Sequence, residues 1–176
     1  VADVVVLAAW RQDAEAFNEE YCRYLQRKHR AGADTPWFAG QIIMIARNDY
    51  TLEVFNGDIG LIMPDAESAN GLAAYFPNAD GFKKIAISRL PQFDSAFAMT
   101  VHKSQGSEYR EVWLLPPSGK IEQGGDDALS GLNNALLYTA ITRAREKFTF
   151  VGGRHAFAAA CNRNETRRSG LRDMLA

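Results

Sequence analysis

The sequence has little cysteine, no long apolar stretch and no excess of charge of either sign. Its two cysteines, Cys22 and Cys161, are far apart and have no histidine or cysteine cluster around them. A zinc site is therefore not expected. Two scattered thiols fit a reducing cytosol better than a disulfide framework. The longest uninterrupted apolar run, VVVLAAW at residues 4–10, is too short to span a bilayer. It does not read as a signal peptide either, because no basic start precedes it and an acidic, helix-like segment follows. Net charge is −1, so any nucleic-acid contact has to come from a local patch. No internal repeat is visible. The chain opens on Val1 rather than methionine, so we expect an interior or C-terminal piece of a longer protein. What is present is a globular balance, with 47% hydrophobic and 23% charged residues. The 176 residues suffice for one ordinary domain, or for one carrying a small insert.

The pattern along the chain predicts an α/β domain interrupted by a β insert. Residues 4–8 form a valine-rich run, as expected of a strand buried on both faces of a parallel sheet. Residues 12–30 are helical, mostly polar, with a stripe through Phe17, Tyr21 and Leu25. Residues 31–36 (AGADTP) end that helix. The texture then changes. Residues 40–46 and 59–63 are strand-like, separated by the turn signals Asn48-Asp49 and Asn56-Gly57-Asp58. Tyr75-Phe76, the turn at 78–81 and residues 84–87 read as a hairpin. Several short strands at this spacing predict a small antiparallel barrel over residues 40–94. After Pro91 the α/β texture returns. Strands are expected at 97–101, 112–115 and 148–151, with a loop at 116–131. A helix is expected at 132–145, with Leu136, Leu137, Ala140 and Ile141 on one side, and a basic helix at 156–175.

Two clusters carry chemistry. In the first, AMTVHKSQGSE at 98–108, a strand runs into a polar turn. Side chains at the C-terminal end of a parallel strand face the ligand crevice. Thr100, His102, Lys103, Ser104 and Gln105 bring hydrogen-bonding groups to that edge. Gly106 lets backbone come close to a ligand, and Glu108 offers an acceptor suited to a ribose hydroxyl. A plain polar turn after a core strand explains the same residues about as well. In the second, LLYTAITRAREK at 136–147, an apolar helix ends in cations. One account is that Arg145 and Lys147 favour a helix C-terminus through its dipole. The other singles out Arg143, whose guanidinium suits the charge spread over a transferring phosphoryl group.

Taken together, the two clusters resemble helicase motifs V and VI of superfamily 1 DNA helicases, in that order and at that separation. HKSQGSE and YTAITRAR resemble the RecD branch more than the UvrD and Rep branch. MIARNDYTLEVFNGDIG (44–60), SRLP (88–91) and ETRRSGL (165–171) also resemble RecD helicases, over roughly residues 37–175. The resemblance implies a second RecA-like motor domain, residues 1–39 with 95–176, and a Src-homology-3-like barrel inserted at 40–94. It implies ATP with magnesium bound between this domain and a first motor domain that holds most of the metal contacts. Arg143 would be the arginine finger, Gly106 and Glu108 would lie by the phosphates and the sugar, and Arg11 would be the motif IV arginine. The surrounding AAWRQDAEAF lacks the glycines that usually follow that arginine. Thr100, His102 and Lys103 would face single-stranded DNA, mainly its phosphates, with Arg47 and Asn48 adding contacts. A turn stabilised by its own Asn and Asp side chains explains Asn48 and Asp49 equally well, and FNGD favours a tight turn. The basic tail (Arg163, Arg167, Arg168, Arg172) reads first as a solvated face, with contact to DNA or a partner subunit as the alternative. The family works with the beta and gamma subunits of exodeoxyribonuclease V in double-strand-break repair, moving 5′ to 3′.

The sequence contains no Gly-x-x-x-x-Gly-Lys-Ser/Thr phosphate loop and no Asp-Glu pair after a strand. The chain alone is therefore expected to be inactive as an ATPase. Two other readings remain: a non-motor DNA-binding or assembly module, and a stand-alone RecD-like helicase.

Overall fold

The computed structural model describes residues 3–29, 36–118 and 131–164. Its elements are β1 (Val4–Ala8), α1 (Arg11–His29), β2 (Ile42–Ile45), β3 (Ile59–Pro64), β4 (Leu72–Asn78), β5 (Gly81–Ala86), a 3-10 turn (Ile87–Arg89), β6 (Phe93–Ser95), β7 (Ala98–Thr100), β8 (Tyr109–Leu115), α2 (Asn134–Ile141), β9 (Ala144–Phe150) and α3 (Arg154–Asn162). The chain divides into two compact units, Val1–Asp13 with Thr100–Ala176, and Ala14–Met99.

The first unit is built on β1, β8 and β9, neighbours in that order in one sheet. β1 pairs parallel with β8, and β8 parallel with β9, so that Val5 pairs with Val112 and Val112 with Phe148, while Leu7 pairs with Leu114 and Leu114 with Phe150. Parallel neighbours need a crossover, and the valine-rich runs supply the apolar surface such a sheet has to bury. Val5, Leu7, Val112 and Leu114 are buried, as are Leu136, Leu137 and Ala140 of α2 and Ala160 of α3. Each fully buried Leu of this set contributes about 1.5–3 kcal/mol. Asn133 starts α2, its side-chain oxygen accepting from the Leu136 N–H at 2.8 Å. Burial is one-sided at the outset of β1: Val4 is 44% exposed, so the expectation of a strand buried on both faces holds only toward its end.

The second unit is an antiparallel sheet of order β5-β4-β3-β2-β6. Alternate residues point to one core: Ile43, Ile45, Val54, Ile62, Ala74, Phe76, Ile85 and Ile87. β4 and β5 form the expected hairpin, with Asn78 opposite Gly81. α1 belongs to this unit from Ala14 onward. Its buried Asn18 donates to the carbonyls of Ser95 at 2.7 Å and Ala98 at 2.9 Å, and accepts from the Ala98 N–H at 2.7 Å.

Two elements differ from the sequence expectation: the basic helix expected at 156–175 runs Arg154–Asn162, with Arg163 already extended, and the helix before it is also shorter. The helix expected to reach residue 145 stops at Ile141, and the next strand starts at Ala144, not at residue 148. The Arg143 carbonyl accepts from the Tyr109 N–H at 2.8 Å and opens the ladder between β8 and β9. That distant pairing overrides the good helix propensity of RAREK at 143–147. Arg145 and Lys147 thus lie on a strand, and the dipole account of them is incorrect. Residues 31–35, most of the 116–131 loop, and the tail beyond residue 164 with Arg167, Arg168 and Arg172 lie outside the described residues.

Candidate functional site

β7 ends at Thr100 and the chain turns through residues 101–106 before β8 begins. The Val101 N–H donates to the Ala8 carbonyl at 3.0 Å, which pins the start of the turn to the end of β1. Ser104 is fully buried, and its hydroxyl donates to the Val101 carbonyl at 2.7 Å. It therefore shapes the turn rather than presenting a group outward. The Thr100 hydroxyl accepts from the Lys103 N–H at 3.3 Å and caps the same turn. His102, Lys103 and Gln105 remain exposed on it. Gly106 has φ +87, a left-handed conformation that an L side chain resists, and open space where a Cβ would stand. Its glycine is thus required by the backbone of the turn.

Arg143 follows α2 directly and is half-buried. Its Nη1 donates to the Ser107 carbonyl at 3.2 Å, its Nη2 to the Thr142 hydroxyl at 3.3 Å and its Nε to the Thr139 carbonyl at 3.4 Å. The guanidinium thereby joins the end of α2 to the end of the 101–106 turn, two segments 36 residues apart in sequence. Tyr109 lies beside it. Burial pushes the Tyr109 phenol up from its ordinary pKa, against the opposing pull of a Ser107 hydrogen bond and the Arg143 charge. Glu108 is exposed and accepts from Arg145 Nε at 3.0 Å, so the carboxylate suited to a sugar hydroxyl holds a cation of β9. Such an exposed pair contributes about 0–1 kcal/mol and exchanges readily. Two arginines at one turn are a donor set that fits polyphosphate.

Arg11 is exposed at the first position of α1. Two residues on, Asp13 is buried and accepts from the Ser118 N–H at 3.4 Å and from the Ser118 hydroxyl. Pattern and motif assigned no role to Asp13 or Tyr109, and Ser107 entered only as part of the 98–108 cluster. Asp13 carried a signal of its own, a polar residue at a helix start, which is too common to single out.

Arg47 and Asn48 belong to the other unit. Asn48 accepts from the Asn56 N–H at 2.7 Å and Asp49 from the Thr51 and Leu52 N–H groups at 2.9 Å. Asp58 accepts from the Phe55 N–H at 2.8 Å. The turn account of Asn48, Asp49 and FNGD therefore describes their bonds, and Arg47 is left exposed.

Residues 95–151 match the UvrD-like helicase C-terminal domain family. The RecBCD enzyme subunit RecD of Mycobacterium tuberculosis is 41% identical over 141 residues, covering 80% of this chain and 23% of that protein. The ATP-dependent RecD2 DNA helicase of Deinococcus radiodurans is 31% identical over 137 residues, covering 77% of this chain and 18% of that protein. This chain thus spans less than a quarter of the length of these relatives. Among solved structures, the Pif1 helicase from Candida albicans superposes with TM-score 0.56 at 16% identity, covering 90% of this chain and 47% of that one, a likeness of fold. The parallel sheet with its paired turn and helix end is thus a helicase-like α/β fold. Sequence likeness and fold agree: residues 95–151 carry a UvrD-like helicase C-terminal domain, and the chain around them is similar in sequence to RecD subunits.

Proposed function

We propose that this chain is the second motor half of an ATP-dependent DNA helicase, supplying the arginine finger and one edge of the single-stranded DNA track. The observation that carries the reading is the Arg143 guanidinium, held at 3.2 Å from the Ser107 carbonyl at the turn that the family resemblance assigns to nucleotide and DNA. Residues 1–39 with 95–176 form the second RecA-like domain, and 40–94 form a Src-homology-3-like barrel. Five antiparallel strands sharing one apolar core support the barrel.

Arg143 leaves its three backbone and hydroxyl acceptors to neutralise charge on the γ-phosphate. Gly106 gives the turn its shape, and Glu108 exchanges Arg145 for a ribose hydroxyl. Arg11 adds a contact to nucleotide. Thr100, His102 and Lys103 face DNA phosphates, as any-sequence translocation requires, and Arg47 and Asn48 add contacts of their own. Magnesium, held mainly by the first motor domain, neutralises phosphate charge when bound. In the full-length protein, Arg143→Ala lowers ATP turnover by roughly 10³-fold while leaving nucleotide binding largely intact. Unchanged turnover would refute the finger.

The relatives support two choices of partner. Likeness to RecBCD subunits favours assembly with the beta and gamma subunits of exodeoxyribonuclease V, in break repair with 5′ to 3′ movement. A second reading, a helicase acting alone, is favoured by the 31% identity to RecD2. Co-purification of tagged full-length protein with those two subunits decides between them.

A further inference from the structure

The segment 46–58 makes an excursion between β2 and β3 that sends Val54 into the core and leaves much of the rest outside. Asp49 and Val54 bridge each other at 2.8 and 3.0 Å, the Gly57 N–H donates to the Ile45 carbonyl at 2.9 Å, and the Asn48, Asp49 and Asp58 side chains each hold backbone N–H groups. Glu53 sits at φ 47, a conformation non-glycine residues rarely adopt, and pairs with Lys83 at 2.9 Å. So much bracing leaves two rings outside. Tyr50 is 77% exposed and Phe55 44% exposed, with centroids 5.9 Å apart and planes at 71°. Exposed rings on a rigid frame gain nothing for folding but lose little entropy when something stacks on them.

The charges around the rings point to one ligand class. Asp49 and Asp58 turn their carboxylates back onto N–H groups, and Glu53 is paired with Lys83. Arg47, three residues before Tyr50, is exposed and has no acidic partner among the described residues. An outward aromatic face with an outward cation suits an unpaired nucleobase and its phosphate. We propose that Tyr50, supported edge-on by Phe55, is a stacking platform for a base of single-stranded DNA, with Arg47 at the adjoining phosphate. This rests on the DNA reading above and adds to it a contact to a base rather than to backbone.

The test uses full-length protein and two single strands, oligo-dT and the same length with every thymine replaced by an abasic site. Tyr50→Ala weakens oligo-dT binding by between about fivefold and a hundredfold, Tyr50→Phe restores it, and the salt slope is unchanged. On the abasic strand Tyr50→Ala and wild type bind alike. Arg47→Ala weakens both strands and lowers the salt slope. A Thr100→Val/His102→Ala variant serves as control for the DNA edge. If the control loses affinity while Tyr50→Ala binds oligo-dT like wild type, the platform is overturned and the DNA edge stands. That result would point to a protein segment on the rings. If the control also binds like wild type, the DNA reading itself fails. An equal loss on both strands for Tyr50→Ala also overturns stacking, because it would mean only the backbone is felt.

Discussion

Gly60 lies in β3, where a Cβ would stand 2.6 Å from the buried ring of Phe76. Phe76 is 3% exposed and part of the core, so its ring has nowhere to yield. Gly60→Ala is expected to cost about 1–3 kcal/mol, read as a lower urea midpoint without loss of cooperativity. The sequence does not reveal this contact, because reading 59–63 as a strand leaves open which ring of the neighbouring strand lies over Gly60. Tyr109 gives a second residue-scale expectation. Burial disfavours its phenolate, so the folded state holds the proton more tightly than the unfolded chain does. The stability it contributes is therefore complete below the unfolded value of about 10 and declines as pH rises above it. Thermal melts at increasing alkalinity should show the decline, and Tyr109→Phe should lessen it. An alkaline profile identical in the variant would remove Tyr109 as its cause.

Among the elements, the junction from β6 into β7 depends on one side chain. Asn18 reads both the carbonyl and the N–H of Ala98 and the carbonyl of Ser95, and Gln41 donates to the Ser95 hydroxyl at 3.0 Å. Asn18→Ala strands a buried N–H and two carbonyls and is expected to cost about 1–3 kcal/mol. Asn18→Asp keeps the acceptor but sets a carboxylate against two carbonyls, and should fare no better. Hydrogen exchange at Ala98 is the direct readout, and protection unchanged in Asn18→Ala would exclude the clamp. None of this was legible, since the partners lie 77 and 80 residues away. What was legible is what local pattern determines. β1 and β8 were visible as apolar runs, α1 as a stripe, and the β4–β5 hairpin through its turn residues. The end of α2 was misread because local propensity favoured helix while pairing with β8 set the outcome. The candidate site divides the same way. Arg143 and the turn at 101–106 were named from their motifs, but Ser104 proved structural and Glu108 is held by Arg145.

At the scale of the whole molecule, the cationic groups at the 101–108 turn have no phosphate cradle in the same chain. Arg143 and Arg145 can meet charge on a nucleotide, yet the sequence offers no glycine-rich loop with a lysine to hold the β- and γ-phosphates. An arginine finger lowers the barrier only for a phosphoryl group already placed in line with its attacking water. The 176-residue chain by itself should therefore turn over no ATP, even when circular dichroism shows it folded. Net charge of −1 predicts, in addition, that its own affinity for single strands is weak and lost at modest salt. The full-length protein should recover both, with turnover that rises on adding single-stranded DNA and falls roughly 10³-fold in Arg143→Ala. The decisive comparison is turnover per folded molecule in the two proteins. Hydrolysis by the isolated chain that Arg143→Ala abolishes would mean that the catalytic cleft is complete within these residues, and the division into two motor halves would have to be given up.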